Sequence, residues 1–435
     1  YMRRNSFVDY NSIISSPFAP SVAVIAPAYN EGKNIIDNVN ALMHLFYHDY
    51  EIIVVNDGSK DDTLEKLVDH FKLVKVNYAI EFRLQHEEIL GVYRSTNKSY
   101  GRITVIDKRN GGKSDALNAG INLTRKEVFV VIDVDSILES DALLKLAKPF
   151  LEEKDKTVLA TGSVIRIANS CDVEDGKITA VNFPREFLAK FQVLEYNRAF
   201  LMGRMAWGKL NGLLLISGAM GMFNREVVID CGGYSQKTVG EDMELIVRMR
   251  RYMHEIDQKY EVIYIPDPLC WTEVPTNMKV LGRQRNRWTR GTIETLTTHK
   301  SVFFNPRYGT MGMLGYPYWF FFEWLAPMME VFGVVYFIIL SIIGASNWPF
   351  FLMLLAFIYS FAIVFSTWSI LFEEMTFDRY KKKIDLLRMF ITAIIEPFIF
   401  HPLNVYWALR GNYDFFRGKR SWGAMERKGF RHKES

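Results

Sequence analysis

Where charge is missing constrains this chain more than any single motif. From Tyr316 to Ala345 the only charges are Glu323 and Glu330, and from Pro349 to Phe372 there are none. Each stretch exceeds the roughly 20 apolar residues that a helix needs to cross a bilayer. Both are expected to be membrane helices. A third segment, Ile384 to Leu409, is apolar but interrupted by Asp385, Arg388 and Glu396 and by Pro397 and Pro402. From Ser21 to about Thr310 the apolar runs are short and broken by charge, as in a soluble α/β domain. The chain is therefore expected to divide into a lead-in (1–20), a soluble domain (21–310), a membrane region (311–410) and a basic tail (411–435).

Charge also orients the chain. The link between the second and third apolar segments holds Arg379, Lys381, Lys382 and Lys383, while the link Gly344 to Pro349 holds no Lys or Arg. The positive-inside rule places the basic link and the soluble domain on the cytoplasmic face of the cell's inner or plasma membrane, in a multi-pass protein. A single crossing by the third segment would then put outside a tail that carries Arg410, Arg417, Lys419, Arg420, Arg427, Lys428, Arg431 and Lys433. That segment is expected to break near Glu396 and Pro397 and return, since irregular backbone at membrane depth is tolerated when buried in protein. The chain begins at Tyr1 with no apolar run before Ser21, so residues upstream, membrane helices among them, are expected.

Over 435 residues the hydrophobic share is 49%, with 14% aromatics, enough for one sizeable soluble domain plus membrane segments. Lys and Arg number 53 against 49 Asp and Glu, a net charge of +4, too mild to argue for nucleic acid. Cys171, Cys231 and Cys270 are widely spaced and odd in number, which suggests neither a disulfide framework nor a zinc cluster.

The soluble part alternates strand, polar loop and helix. Ser21 to Ala28 is a β-branched and Ala-rich run leading into Tyr29, Asn30 and Glu31, then a helical pattern through Ile35, Ile36, Val39 and Leu42. Glu51 to Val55 leads into Asn56, Asp57, Gly58 and Ser59. This rhythm predicts a parallel sheet with helical crossovers, whose ligands bind beyond the carboxyl ends of the strands. Next comes Asn110 to Asn118, in which paired glycines and Lys113 at a helix start suit an anion. Taken alone, these two loops read better as an ordinary turn and as a glycine-rich helix start with a solvated lysine. Val128 to Val134 is apolar except for Asp133 and closes on Asp135. Carboxylates one residue apart at a strand end point to the same side, as a divalent cation bridging phosphates requires. Asp242 opens a helical pattern through Leu245, Ile246 and Met249, where it can serve as a proton acceptor or simply as a helix cap. Last, Gln284, Arg285, Asn286, Arg287 and Trp288 combine guanidinium groups for a diphosphate with an indole for a sugar ring, just ahead of the membrane region.

Taken in order, Pro27-Ala-Tyr-Asn-Glu31, Asn56-Asp-Gly-Ser59, Asn110-Gly-Gly-Lys-Ser-Asp-Ala-Leu-Asn118, Asp133-Val-Asp135, Gly240-Glu-Asp242 and Gln284-Arg-Asn-Arg-Trp288 resemble the membrane-embedded processive family 2 glycosyltransferases. Cellulose, hyaluronan, chitin-oligosaccharide and poly-N-acetylglucosamine synthases belong to that group. The resemblance runs from Ser21 into the basic tail. It implies an α/β GT-A (nucleotide-diphospho-sugar transferase) domain with a mostly parallel sheet, interfacial helices near 187–214 and 277–300, and transmembrane helices.

The resemblance further implies that Tyr29, Glu31 and Asp57 hold the uridine of a UDP-sugar, that Lys113 and Asp133 contact the nucleotide, and that Asp135 binds Mg²⁺ or Mn²⁺ on the diphosphate. Asp242 matches the general base of the family's Thr-Glu-Asp motif, with Glu241 beside it and Gly240 in place of Thr. Gln284, Arg285 and Arg287 would engage the diphosphate and Trp288 the acceptor sugar. Trp422 and Arg427, in Ser421-Trp-Gly-Ala-Met-Glu-Arg427, are similar to a gating motif of hyaluronan-type synthases. The expected activity is inverting transfer from a UDP-sugar, UDP-N-acetylglucosamine by preference, to a growing β-linked polysaccharide coupled to translocation. Non-processive transfer to a glycolipid, cellulose-synthase-like glucosyl transfer and a catalytically inert scaffold are the alternatives. Too little chain follows the last apolar segment for a β-rich regulatory domain, which leans away from bacterial cellulose synthase. The lipid bilayer and an accessory membrane subunit are the other expected partners. Trp319, Trp324, Trp368 and Trp407 are candidates to line a polymer channel, or simply to pack or sit at the interface.

Overall fold

The computed structural model describes residues 11–14, 16–134, 136–174 and 176–419. Twelve strands are present among them: β1 (Val22–Ala28), β2 (Tyr50–Asp57), β3 (Leu73–Val76), β4 (Ile89–Ser95), β5 (Ile103–Lys108), β6 (Val128–Ile132), β7 (Ile137–Leu138), β8 (Thr157–Ile167), β9 (Asp172–Glu174), β10 (Lys177–Ala180), β11 (Met220–Asn224) and β12 (Tyr260–Thr272). Ten of them form one sheet in the order β3-β4-β5-β2-β1-β6-β11-β8-β12-β7, and β9 pairs with β10 apart from it. Within the large sheet β3, β5, β2, β1, β6, β8 and β12 point one way, while β4, β7 and β11 run against them. The sheet is thus mostly parallel, as the alternation of strand and helix predicts.

Helices α1 (Ile35–Met43), α2 (Thr63–Phe71), α3 (Lys113–Leu123) and α4 (Ala142–Leu151) follow strands of this sheet. Every residue of β6 is buried, which is what a continuous apolar run achieves when both faces of a parallel sheet are covered. Each Val or Ile sealed in β1 or β6 contributes roughly 1.5–3 kcal/mol by leaving water. Because β1 lies between β2 and β6, the chain turns opposite ways on its two sides. A crevice opens there beyond the strand ends.

The expected interfacial region 187–214 consists of α5 (Phe187–Tyr196), a π-helical stretch Asn197–Arg204 and α6 (Met205–Lys209). Its Phe191, Val193, Leu194 and Leu201 are buried, so much of it is core rather than free surface. After α7 (Arg225–Asp230) and α8 (Glu241–Glu255), α9 (Met278–Thr298) takes up the second expected interfacial stretch.

Among the described residues three helices are long and apolar enough to cross a membrane: α10 (Met311–Ile342), α11 (Trp348–Phe377) and α12 (Lys383–Phe416). Most of the large apolar side chains of α10 and α11 face outward, Phe332, Ile339, Phe357 and Phe361 among them, as lipid-facing helices require. The third segment differs from its expectation. It does not break at Glu396 and Pro397 but continues as one 34-residue helix through both prolines. Glu396, where the break was expected, is neutralised within the helix. The Arg198 guanidinium forms a forked pair with the Glu396 carboxylate, donating 2.7 Å to Oε2 while its second nitrogen bonds Oε1. Ser366 donates to the same carboxylate at 3.3 Å.

Candidate active site

Two clusters of charge form at the carboxyl ends of the strands. The first lies behind the glycine loop. Lys108, with no exposed surface, donates to Asp57 Oδ1 at 2.6 Å and pairs with Asp115. The remaining capacity of Asp57 is taken by the backbone N–H of Gly111 at 3.0 Å, the N–H of Gly112 at 2.8 Å and the Asn110 side chain at 3.2 Å. Asp115 accepts from the Glu87 N–H at 2.9 Å and from Gln236 at 2.7 Å. Gly58 (φ +67°) and Gly112 (φ +90°) permit this arrangement, since L side chains rarely adopt such backbone angles. Asp57, expected to meet the uridine, is thus 4% exposed and fully engaged by the fold. The neighbouring Tyr29 is 46% exposed at the end of β1. Its loop is stitched to that of β2: Asn30 N–H donates to Ser59 and Glu31 N–H to Thr63, each at 3.0 Å.

The second cluster is open. Lys113 Nζ donates to Asp133 Oδ1 at 2.6 Å and to the Gly218 carbonyl at 3.0 Å, and Gly218 N–H donates to Asp242 Oδ2 at 3.1 Å. A Cβ on Gly218 would lie 3.3 Å from Lys113 Nζ and 3.4 Å from Asp242 Oδ2, so the bare backbone there brings the two groups together. Asp242 occupies the first turn of α8, and its Oδ1 accepts from the next backbone N–H, that of Met243, at 2.9 Å. Residue 240 is the cap, with no side-chain hydrogen bond. Glu241 is 4% exposed, and its Oε2 has no hydrogen-bond partner among the described residues. Burial, then the adjacent Asp242 carboxylate, push its acid up to about 6 against the pull of Lys113 and Arg287. Burial alone would lower the Lys113 ammonium, yet the Asp133 and Glu241 carboxylates hold it above its ordinary value.

Helix α9 brings the pentapeptide to this cluster, and its 3.6-residue period sorts the side chains. Gln284, Arg285, Arg287 and Trp288 line the same cavity as Lys113, Asp133, Glu241 and Asp242, a space of about 1040 Å³. Asn286 instead donates to Asp414 at 2.9 Å. Arg285 is clamped by Glu195 through two bonds of 2.5 and 2.6 Å and lies 4.4 Å from the centre of the Trp288 ring. Its guanidinium therefore orients the indole as well as facing the cavity. Tyr29, Glu31 and Asp57 do not line this space. Asp135, Trp422 and Arg427 lie outside the described residues.

Sequence reasoning missed three groups: Lys108, Glu195 and Gly291. Glu195 left a faint signal as the only carboxylate in the basic, aromatic run from Phe187 to Leu214. The departure at Gly240 also finds its reason in Gly291. A Cβ at 240 would stand 2.7 Å from the Gly291 Cα, so small residues on both sides let α9 meet the loop that leads into α8. Of the tryptophans proposed for a channel, Trp319 lines the cavity, Trp407 is buried against Gly282, Trp324 donates to Asn412 at 2.8 Å, and Trp368 is exposed.

The sequence model of the "Glycosyltransferase like family 2" matches residues 19–291, well over half of the chain. This chain belongs to that family. The glycosyltransferase is 26% identical over 275 residues to the poly-β-1,6-N-acetyl-D-glucosamine synthase of Staphylococcus epidermidis, a match covering 63% of this chain and 55% of the relative. It is 28% identical over 290 residues to a Bacillus subtilis protein named Probable glycosyltransferase YdaM, covering 66% of this chain and 58% of that one. The match thus spans little more than half the length of these relatives. A mannosyltransferase from Pyrobaculum calidifontis, solved with GDP-mannose and Mn²⁺, shares the fold with a TM-score of 0.52 and 18% identity, over 92% of this chain and 94% of its own.

Proposed function

We propose that this glycosyltransferase moves a sugar from a UDP-sugar, best read as UDP-N-acetylglucosamine, onto a growing β-linked polysaccharide at the membrane. One observation carries the reading. The cavity that gathers Asp242, Lys113, Asp133 and the α9 side chains continues past Trp288 between the membrane helices to Glu330 and His401. A donor site with an acceptor path leading into the apolar helices suits a product that is extended and passed on. The relatives named as poly-N-acetylglucosamine synthases support the choice of donor and polymer.

In this reading Asp242 accepts the proton of the acceptor hydroxyl, whose oxygen attacks the anomeric carbon in line and displaces UDP. With one base and no enzyme nucleophile, an α-linked donor gives a β-linkage. Lys113 and Arg287 lie where they can face the departing diphosphate, while Arg285, held by Glu195, keeps Trp288 in place for the acceptor ring. Asp133 is a quarter exposed and offers hard oxygen toward the cavity, a donor set that fits Mg²⁺ or Mn²⁺ completed by phosphate oxygens and by Asp135. Such an ion, also present in the archaeal fold relative, would neutralise charge on the leaving diphosphate.

The alternative is a single transfer to a lipid-borne acceptor. Phe322 favours it, because this ring lines the cavity yet is 67% exposed on a helix apolar enough to cross a membrane. Product length after incubating the membrane-reconstituted chain with radiolabelled UDP-N-acetylglucosamine, UDP-glucose and GDP-mannose separates the readings. Long polymer from the first donor is expected; one added sugar, or preference for another donor, overturns it. Trp288→Ala is expected to shorten the polymer while leaving UDP release measurable, and unchanged chain length in that variant removes Trp288 from processivity.

A further inference from the structure

Helix α9 carries the pentapeptide on its first half and holds the entry to α8 with its second. Gln284, Arg287, Trp288 and Gly291 share one face at spacings of three and four, and all four line the cavity. Glu294 stands a turn farther on that face, about 9 Å along the axis from Trp288, and does not line the cavity. It is half-buried, and its Oε2 accepts two bonds from the segment that leads into α8. The Val239 N–H and the Thr238 hydroxyl donate them, each at 2.8 Å. The Thr238 oxygen in turn accepts from the Gly240 N–H at 3.1 Å.

The start of a helix is ordinarily fixed by its N-cap, whose Ser, Thr, Asn or Asp oxygen accepts from a backbone N–H two or three residues on. Residue 240 is Gly and has no such oxygen to offer. Nor is there room for one, because a Cβ there would meet the Gly291 Cα at 2.7 Å. The hold has to come from elsewhere. Thr238 takes the Gly240 N–H, and Glu294 fixes Thr238, so a carboxylate on the neighbouring helix restrains the entry that residue 240 cannot restrain itself.

The first turn of α8 is tied to α9 at a second point. Glu244 receives His299, the residue that ends α9, at 3.1 Å, and two bonds of 2.8 Å from Arg248. Arg251 Nη1 lies 2.9 Å from His299 Nδ1. A guanidinium only donates, so Nδ1 accepts and the ring proton sits on Nε2, directed at Glu244. Val239 and Glu244 are thus both anchored to α9, and Glu241 and Asp242 occupy the short span between the anchors.

We infer that Glu294 is a positioning residue for the transfer step. Through Thr238 and Val239 it sets where Asp242 stands relative to the Gln284, Arg287 and Trp288 side chains of the same helix. The inference rests on Asp242 as the base in the reading above. Glu294 lies outside the cavity and acts on the reaction only through this loop. The leverage is large, since a misplacement of about 1 Å at a reacting centre lowers the rate on the order of 10²-fold.

Variants of the full chain, reconstituted in membranes, test it by UDP release, equilibrium UDP binding and the thermal unfolding midpoint. Glu294→Ala loses both bonds, and kcat is expected to fall roughly 10- to 100-fold while UDP affinity and the midpoint stay close to wild type. Both donors meet one oxygen, so the amide oxygen of Glu294→Gln can accept from both, and most of the rate should return. Thr238→Val keeps the Val239 bond and loses the hydroxyl, which places its rate between those of the Ala and Gln variants. In an Asp242→Asn background, Glu294→Ala should lower the rate no further, because the two act as a unit. Wild-type kcat in Glu294→Ala, a fall in midpoint that matches the fall in rate, or a Gln variant as slow as the Ala variant overturns the inference. So does a loss in the double variant as large as that of Glu294→Ala alone; a slow Asp242→Asn parent then leaves the base assignment standing. Wild-type turnover in Asp242→Asn removes the base, and this inference with it.

Discussion

Two lysines five residues apart, Lys108 and Lys113, each sit among carboxylates, and the contrast between them separates scaffold from chemistry. Lys108 is sealed, and of the acids it binds Asp57 spends its hydrogen-bonding capacity on the glycine loop while Asp115 accepts from the Glu87 N–H and from Gln236. Lys113 and its acids line a large cavity, where Glu241 keeps an unpartnered oxygen and Asp133 keeps exposed surface. The first cluster fixes the shape of the loop; the second is available to a substrate. A carboxylate that is buried and fully satisfied contributes geometry, whereas one held in place with unused capacity contributes reactivity.

Replacing one acid of the open cluster tests this most sharply. Asp242→Asn preserves shape and, through its single side-chain oxygen, one of the two N–H contacts from Gly218 and Met243, but cannot take up a proton. Transfer, measured as UDP release, is expected to fall about 10²–10⁴-fold with UDP binding retained. Wild-type turnover would move Asp242 to the scaffold side of the comparison.

The sealed cluster should answer with stability instead. Lys108→Met leaves Asp57 and Asp115 as buried carboxylates without their cation, at a cost of about 3–5 kcal/mol. A large fall in the thermal unfolding midpoint in detergent is the expected outcome, and an unchanged midpoint with lost activity would reverse the assignment of the two lysines.

A subtler break lies where the open cluster meets the membrane-side helix. A Cβ on Gly291 would stand 2.6 Å from the Gly240 Cα, so Gly291→Ala must push α9 away from the loop that leads into α8. The strain is about 1–3 kcal/mol. Because Gln284, Arg287 and Trp288 ride on α9, KM for the donor should rise more than stability falls. Equal thermal and kinetic effects would make the glycine pair a packing detail only.

Legibility in the sequence followed the same division. β1, β2 and β6 were readable because each is a short apolar run ending in Asn, Asp or Glu, and the hairpin of α10 and α11 because apolar length alone defines it. Lys113, Asp133, Glu241, Asp242 and the pentapeptide were readable as ordered motifs, and the fold gathers all of them but Asn286 around one cavity. What stayed hidden depends on partners distant in sequence. Glu195 meets Arg285 across 90 residues and Arg198 meets Glu396 across 198, so neither the clamp nor the unbroken α12 leaves a local pattern. The engagement of Asp57 by Lys108 was invisible for a related reason, since a lysine at a strand end usually points to water.

The smallest expected effect concerns pH. Glu241 in the folded chain has its acid raised to about 6 from 4.5, first by burial and then by Asp242. A raised carboxyl favours the folded state while protonated, so its contribution is complete below pH 4.5 and is lost as pH rises through 6. Glu241→Gln keeps the shape without the ionisation. The variant should therefore gain on the wild type across that window by about 2 kcal/mol, the equivalent of the shift. Unfolding midpoints of both proteins from pH 4.5 to 7 measure it. A difference that does not vary with pH would mean that Glu241 is as well compensated as Asp57, and the line between the sealed and open clusters would then run between Glu241 and Asp242.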